Sequence, residues 1–201
     1  MKKIILYFTV VFLAYPGYSR TECPNYQNHT SSVIKICPSA LPYNTLTQSI
    51  QPPADSPYAL VAGGSKGIGF AIAEALAKRG YNLILIARHI DSLVAAKDDL
   101  EYMYHIHVEI LRYDLSRDES APEIAKWCTE RNIQLKMLCN VAGFGGSRDY
   151  LSLPLDSLRY MINLNVGSAM ALTLTLLPLL EKNAPSYILN VASMAGFAPI
   201  Q

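Results

Sequence analysis

A chain of 201 residues, 51% hydrophobic and 16% charged, has the material for one substantial core, which excludes a disordered or collagen-like protein. Its 17 basic and 16 acidic residues leave a formal charge of +1. Neither sign is clustered, so the pattern excludes a nucleic-acid surface or a polyanionic partner.

The first element in chain order is an uncharged run from Ile4 to Tyr15, preceded by Lys2 and Lys3. It is too short for a membrane span, which needs roughly 20 apolar residues. Gly17 and Ser19 supply the small residues of a cleavage site, so residues 1–19 are expected to be a secretory signal peptide or a short anchor. Export or membrane association would follow, whereas a mis-assigned start would leave the protein in the cytoplasm. Glu22 ahead of Cys23 argues against a lipid-modified cysteine. Residues 20–57 read as a linker, with Pro24, Pro38, Pro42, Pro52, Pro53 and Pro57 among Asn, Ser, Thr and Gln. Cys23 and Cys37 can form one bridge or remain free thiols. Asn28-His29-Thr30 matches a glycosylation acceptor.

The globular part begins at Tyr58 with YALVAGGSKGIGFAIAEALAKRGYNLILIARH. An apolar strand (58–62) runs into a glycine-rich turn. A helix (67–79) follows, with Ile68, Ile72 and Leu76 on one face and Gly80 as its stop. The continuous apolar run from Leu83 to Ala87 is typical of a parallel strand covered on both sides. This is a βαβ unit, whose turn lets the backbone approach a pyrophosphate while the helix N-terminus offers unpaired N–H groups to its charge.

Further strands are expected near 107–113, 135–140 and 186–192, and further helices near 90–103, 117–131 and 154–182. That alternation predicts an α/β protein: a doubly wound parallel sheet of Rossmann type in three αβα layers, with right-handed crossovers. Counted from Tyr58, the strand order is expected to be 3-2-1-4-5, with the ligand across the carboxyl ends where the order reverses. Cys128 and Cys139 fall in core segments, and no cysteine pair has metal-ligand spacing. His105 and His107 alternate without an acidic or cysteine partner in register, which reads as surface or strand histidines and no metal site.

The turn Gly63-x-x-x-Gly67-x-Gly69 departs from the G-x-G-x-x-G dinucleotide fingerprint. It resembles the T-G-x-x-x-G-x-G turn of the short-chain dehydrogenase/reductase family, with Ala62 where threonine is usual. Four more landmarks follow in that family's order. Asp114-Leu115 closes the third strand, Asn140-Val141-Ala142-Gly143 is similar to the family's N-N-A-G, Asn165 lies in MINLNVG, and Ser193 lies in NVASMAG. Taken singly, Asn140 is equally a strand-end cap, Asn165 a solvent-facing helix residue and Asp114 an ordinary turn residue. Their order after a phosphate-binding turn carries the resemblance, which covers Tyr58 to Gln201 and looks closest to membrane- and lipid-associated reductases.

The resemblance implies a nicotinamide cofactor held by Gly63, Ser65, Lys66, Gly67, Ile68, Gly69, Arg88, Asp114, Leu115, Asn140, Ala142 and Gly143. An NAD enzyme places a carboxylate at the end of its second strand for the ribose 2′-hydroxyl. Here that strand ends in Ala87-Arg88, and Arg88 with Lys66 suits a 2′-phosphate, so NADP is the expected cofactor. Asp91 is the nearest residue that argues the other way.

Carbonyl reduction by hydride needs a proton donor and groups that polarise the oxygen. The family supplies a tyrosine with a lysine four residues later, a serine on the substrate oxygen and an asparagine in a proton relay. The resemblance assigns the last two roles to Ser193 and Asn165. None of the 13 tyrosines has a lysine at the fourth position after it. The chain as given is therefore expected to be inactive, as the N-terminal part of a longer reductase. The alternative is a dinucleotide-binding protein without catalysis. A small carbonyl or alcohol substrate of lipid-like kind is expected, and homo-oligomerisation for the full-length family member.

Overall fold

In a computed structural model the described residues are 4–11, 56–145 and 152–193. They belong to one compact unit. Cys23, Cys37 and the Asn28 triplet lie outside the described residues, as does everything after Ser193.

From Tyr58 onward the chain alternates strand and helix. It forms β2 (Tyr58–Ala62), α1 (Gly67–Ala77), β3 (Asn82–Ala87), α2 (Ile90–Tyr104), β4 (Val108–Arg112), α3 (Ser120–Glu130) and β5 (Leu135–Asn140). A helical run of α4 (Leu155–Ile162), a wider π-turn (Asn163–Gly167) and α5 (Ser168–Lys182) leads into β6 (Ser186–Ser193). Ahead of them Ile4–Val11, inside the segment expected as a leader, is strand β1 and pairs in parallel with β6. The sheet order is β1-β6-β5-β2-β3-β4 with parallel pairing throughout. Counted from Tyr58, this is the expected 3-2-1-4-5, with β1 added at one edge.

The alternation of side chains across the strands divides the core in two. Ala59 and Val61 of β2 and Leu83 and Leu85 of β3 pack against Ala73, Leu76, Leu93 and Leu100 of α1 and α2. Leu60, Ile84 and Ile86 face the other way, onto Ile124 of α3 and Leu172, Leu176 and Leu180 of α5. The strands are continuous apolar runs because both their faces are covered. Each such fully buried Leu or Ile contributes about 2 kcal/mol.

Three details differ from the sequence expectation. The buried face of α1 is Gly69, Ala73, Leu76 and Ala77, whereas Ile68 is 38% exposed. Small side chains let the helix axis approach the sheet, and the larger isoleucine is left at the rim. Helix α3 starts at Ser120 because the preceding residues form a turn on Asp114, whose carbonyl accepts from Arg117 N (3.1 Å) and Ser120 Oγ (2.7 Å). His107 does have acidic partners, since its Nε2 is 2.9 Å from Glu109 Oε1 and its Nδ1 is 3.8 Å from Glu101 Oε1. Glu109 is two residues along the same strand face and Glu101 arrives from α2.

Candidate cofactor site

Parallel strands present all their carboxyl ends on one edge, and the residues singled out above collect there. Gly63, Ser65 and Lys66 form the turn after β2, and Gly67, Ile68 and Gly69 open α1. Gly63 N donates to Ile86 O at 2.8 Å and Val141 N donates to Ala62 O at 3.1 Å, so the turn is pinned between the ends of β3 and β5.

The glycines of this turn are required by geometry. A β-carbon on Gly69 would lie 2.0 Å from the carbonyl oxygen of Gly63, closer than any real contact, so only glycine lets the helix start so near the strand. Gly67 has φ +59°, and a β-carbon there would meet nothing within 4 Å. The turn is therefore packed on its inner side and open on its outer side. Lys66, the residue before α1, has extended backbone and no side-chain hydrogen bond caps the helix. No acidic residue lies in the first turn either. The first N–H groups of α1 and the positive end of its dipole face this opening, which suits a phosphate.

Arg88 follows β3 and Arg112 ends β4, level with Ala87 in the register. Arg112 Nε donates to Arg88 O at 3.2 Å. An open groove of about 690 Å³ runs past Arg88, Arg112, Tyr113, Asp114, Arg117 and Glu123. Asp114 Oδ1 accepts from Ser116 N (3.1 Å) and Ser116 Oγ (2.8 Å), which fixes its carboxyl at the strand end. Leu115 is buried within the core. Asp91 is exposed in the first turn of α2.

Asn140 ends β5 with its side chain 6% exposed. Its Nδ2 donates to Asn190 Oδ1 (2.8 Å) on β6 and to Thr173 Oγ1 (3.2 Å) on α5, tying strand, strand and helix together. Among the described residues its buried Oδ1 has no hydrogen-bond partner. Ala142 and Gly143 lie in the loop beyond, where Ala142 approaches Gly63 closely enough that a β-carbon on Gly63 would meet its backbone at 2.9 Å.

Asn165 sits in the π-turn, where Ser168 N reaches back to Asn163 O. The wider turn interrupts the regular ladder, a feature common at functional sites. Asn165 Nδ2 donates to Phe144 O (2.8 Å), and its Oδ1 accepts from Phe144 N (2.7 Å). The asparagine thus clamps the backbone of the loop after β5. Ser193 is the final residue of β6, on the same carboxyl edge of the sheet.

Tyr160, Phe144 and Arg112 were missed by sequence reasoning. Tyr160 Oη accepts a hydrogen bond from Arg88 Nη1, and the guanidinium carbon lies 5.6 Å from the centre of its ring. Phe144 meets the same ring edge-on, centroids 6.0 Å apart. Burial, and then the charge of Asp114, raise the Tyr160 hydroxyl above its ordinary range, while Arg88 pulls the other way. Tyr160 and Arg88 are 72 residues apart, so no local pattern in the sequence reports the contact.

A family model described as short chain dehydrogenase matches residues 57–201. The chain is 31% identical over 147 residues to a very-long-chain 3-oxoacyl-CoA reductase of Danio rerio, covering 71% of this chain and 46% of that protein. It is 34% identical over 152 residues to the protein of that name from Kluyveromyces lactis, covering 71% and 43%. The chain thus spans about half the length of the curated relatives it matches. Among solved structures, L-sorbose reductase from Gluconobacter frateurii complexed with NADPH and L-sorbose superposes with a TM-score of 0.68 at 26% identity, covering 72% of this chain and 55% of that one. A short-chain dehydrogenase from Sphingobium yanoikuyae in complex with NADPH gives 0.66 at 30% identity, covering 71% and 56%. With the glycine turn, the strand order and these matches together, the chain belongs to the short-chain dehydrogenase family.

Proposed function

We propose that residues 58–201 bind NADP(H) across the carboxyl edge of the sheet and serve an oxidoreductase that interconverts a carbonyl and an alcohol. The observation that carries this reading is the open glycine turn feeding an uncapped helix, with Arg88 at the neighbouring strand end. The pyrophosphate would lie on the N-terminus of α1 beside Ser65 and Ile68. The 2′-phosphate would meet Arg88 and Lys66, and the adenine would rest near Asp114-Leu115 and Ala142-Gly143. When bound, NADPH would supply the hydride. Ser193 would hold the substrate oxygen, and Asn165 would fix the Phe144 loop and join the path by which a proton is replaced. The NADPH-bound solved relatives support the choice of cofactor.

The names of the matched reductases support a hydrophobic carbonyl substrate linked to an acyl chain. A leader or anchor in residues 1–19 would fit a membrane-associated enzyme, and it would exclude the pairing of Ile4–Val11 with β6. Self-association would use the outer face of α4 and α5, where Leu155, Ile162, Val166, Met170 and Leu174 are 53–66% exposed.

The second reading is a dinucleotide-binding protein without turnover; within the 201 residues no tyrosine has a lysine four residues on. In an assay that follows NADPH consumption with a 3-oxoacyl-CoA, the chain of 201 residues is expected to bind the cofactor and turn nothing over. Substrate-dependent turnover would refute the inactivity, and absence of NADPH binding would refute both readings. A tyrosine and lysine in frame beyond codon 201 would decide for the enzyme.

A further inference from the structure

We propose that Tyr160 is a positioning residue for Arg88, holding its guanidinium ready for a 2′-phosphate and so setting the preference between the two nicotinamide dinucleotides. The proposal rests on the cofactor reading above.

Arg88 is exposed, and a free arginine samples many rotamers that it must give up on binding. Here two contacts restrict it. One Nη1 hydrogen is donated to Tyr160 Oη, and the guanidinium carbon lies 5.6 Å from the centre of the ring. A guanidinium carries five N–H donors. The Tyr160 contact uses one, leaving the Nε and Nη2 hydrogens for two parallel bonds to phosphate oxygens, the geometry in which arginine recognises phosphate best. From below, Arg112 Nε holds the Arg88 carbonyl at 3.2 Å.

Tyr160 is itself held. Its ring is half-buried and meets Phe144 edge-on at 6.0 Å. The Phe144 backbone is gripped through both its N–H and its C=O by Asn165. A continuous row of contacts therefore runs from Asn165 through Phe144 and Tyr160 to Arg88. Burial, and after it the Asp114 carboxylate, disfavours ionisation of the Tyr160 hydroxyl, which stays an acceptor toward Arg88 and adds no negative charge where a phosphate must sit.

The test is a fluorescence titration of NADPH and of NADH against the full chain and its Y160L, Y160F and R88A variants. The unmutated chain should bind NADPH more tightly than NADH. Y160L should lose about 10-fold in NADPH affinity through the lost hydrogen bond and ring contact, with NADH affinity unchanged within about twofold. Y160F keeps the ring and should lose only about threefold. If Y160L fails to fold by circular dichroism, Y160F and its NADPH:NADH ratio carry the test. An unchanged or increased ratio in both Tyr160 variants overturns the proposal; if R88A still abolishes the preference, the cofactor reading survives. No preference in the unmutated chain overturns both.

Discussion

At Gly69 a β-carbon would lie 2.0 Å from a backbone oxygen, and backbone yields less readily than a flexible side chain. Gly69→Ala is therefore expected to cost about 3 kcal/mol, at the upper end for overpacking a tight site, read as a lower urea midpoint; an unchanged midpoint would show that the turn relaxes. Asn165→Ala removes both bonds to Phe144 and is expected to cost about 1 kcal/mol, since the site is exposed. The spacing of Gly63, Gly67 and Gly69 was legible as a phosphate turn because each glycine answers a local backbone need. The contact of Arg88 with Tyr160 was not, because it depends on how β3 and α4 meet. Asn140 illustrates a third case: its position was legible, but its side chain points into the junction of β5, β6 and α5.

Among the elements, the strands and helices from Tyr58 onward fall close to their expected limits because their hydrophobic runs are long and glycine-punctuated. The π-turn inside the expected single helix was not legible. Nothing in MINLNVG breaks a helical period, and the turn is defined by the wider backbone bond from Ser168 N to Asn163 O. The same helical run is apolar enough over Leu155–Lys182 to cross a bilayer by composition, yet Leu172, Leu176 and Leu180 are fully buried against the sheet. Its opposite face carries Met170 and Leu174, 60% and 66% exposed. If copies associate there, Met170→Glu with Leu174→Glu should convert the assembly to monomer in sedimentation equilibrium, and an unchanged mass would place the interface elsewhere.

For the folded molecule as a whole, two buried thiols among the described residues set a response to alkali. Cys128 in α3 and Cys139 in β5 are free, and burial pushes both up from 9.0 to about 12. Above pH 9 the unfolded chain loses these protons while the folded chain keeps them, so the contribution is intact below pH 9 and is lost as pH rises toward 12. Near pH 10 the loss is on the order of 1 kcal/mol per thiol. Urea unfolding at pH 8 and pH 10 should show this decline, and the double variant Cys128→Ala, Cys139→Ala should show less of it; equal slopes would place the titration on other groups.

Topology from Tyr58 onward was legible because alternating strand and helix on one chain has few right-handed solutions. The pairing of Ile4–Val11 with β6 was not, since a short apolar run after two lysines fits a leader and a strand equally well. On the proposed reading, Gly67, α1 and Arg88 form a site for a dinucleotide bearing a 2′-phosphate. The most direct measurement is the pair of dissociation constants for NADPH and NADH on the unmutated chain and on Arg88→Asp. NADPH should bind at least about 10-fold more tightly to the unmutated chain, with the order reversed or levelled in Arg88→Asp. Equal or tighter NADH binding to the unmutated chain would contradict it.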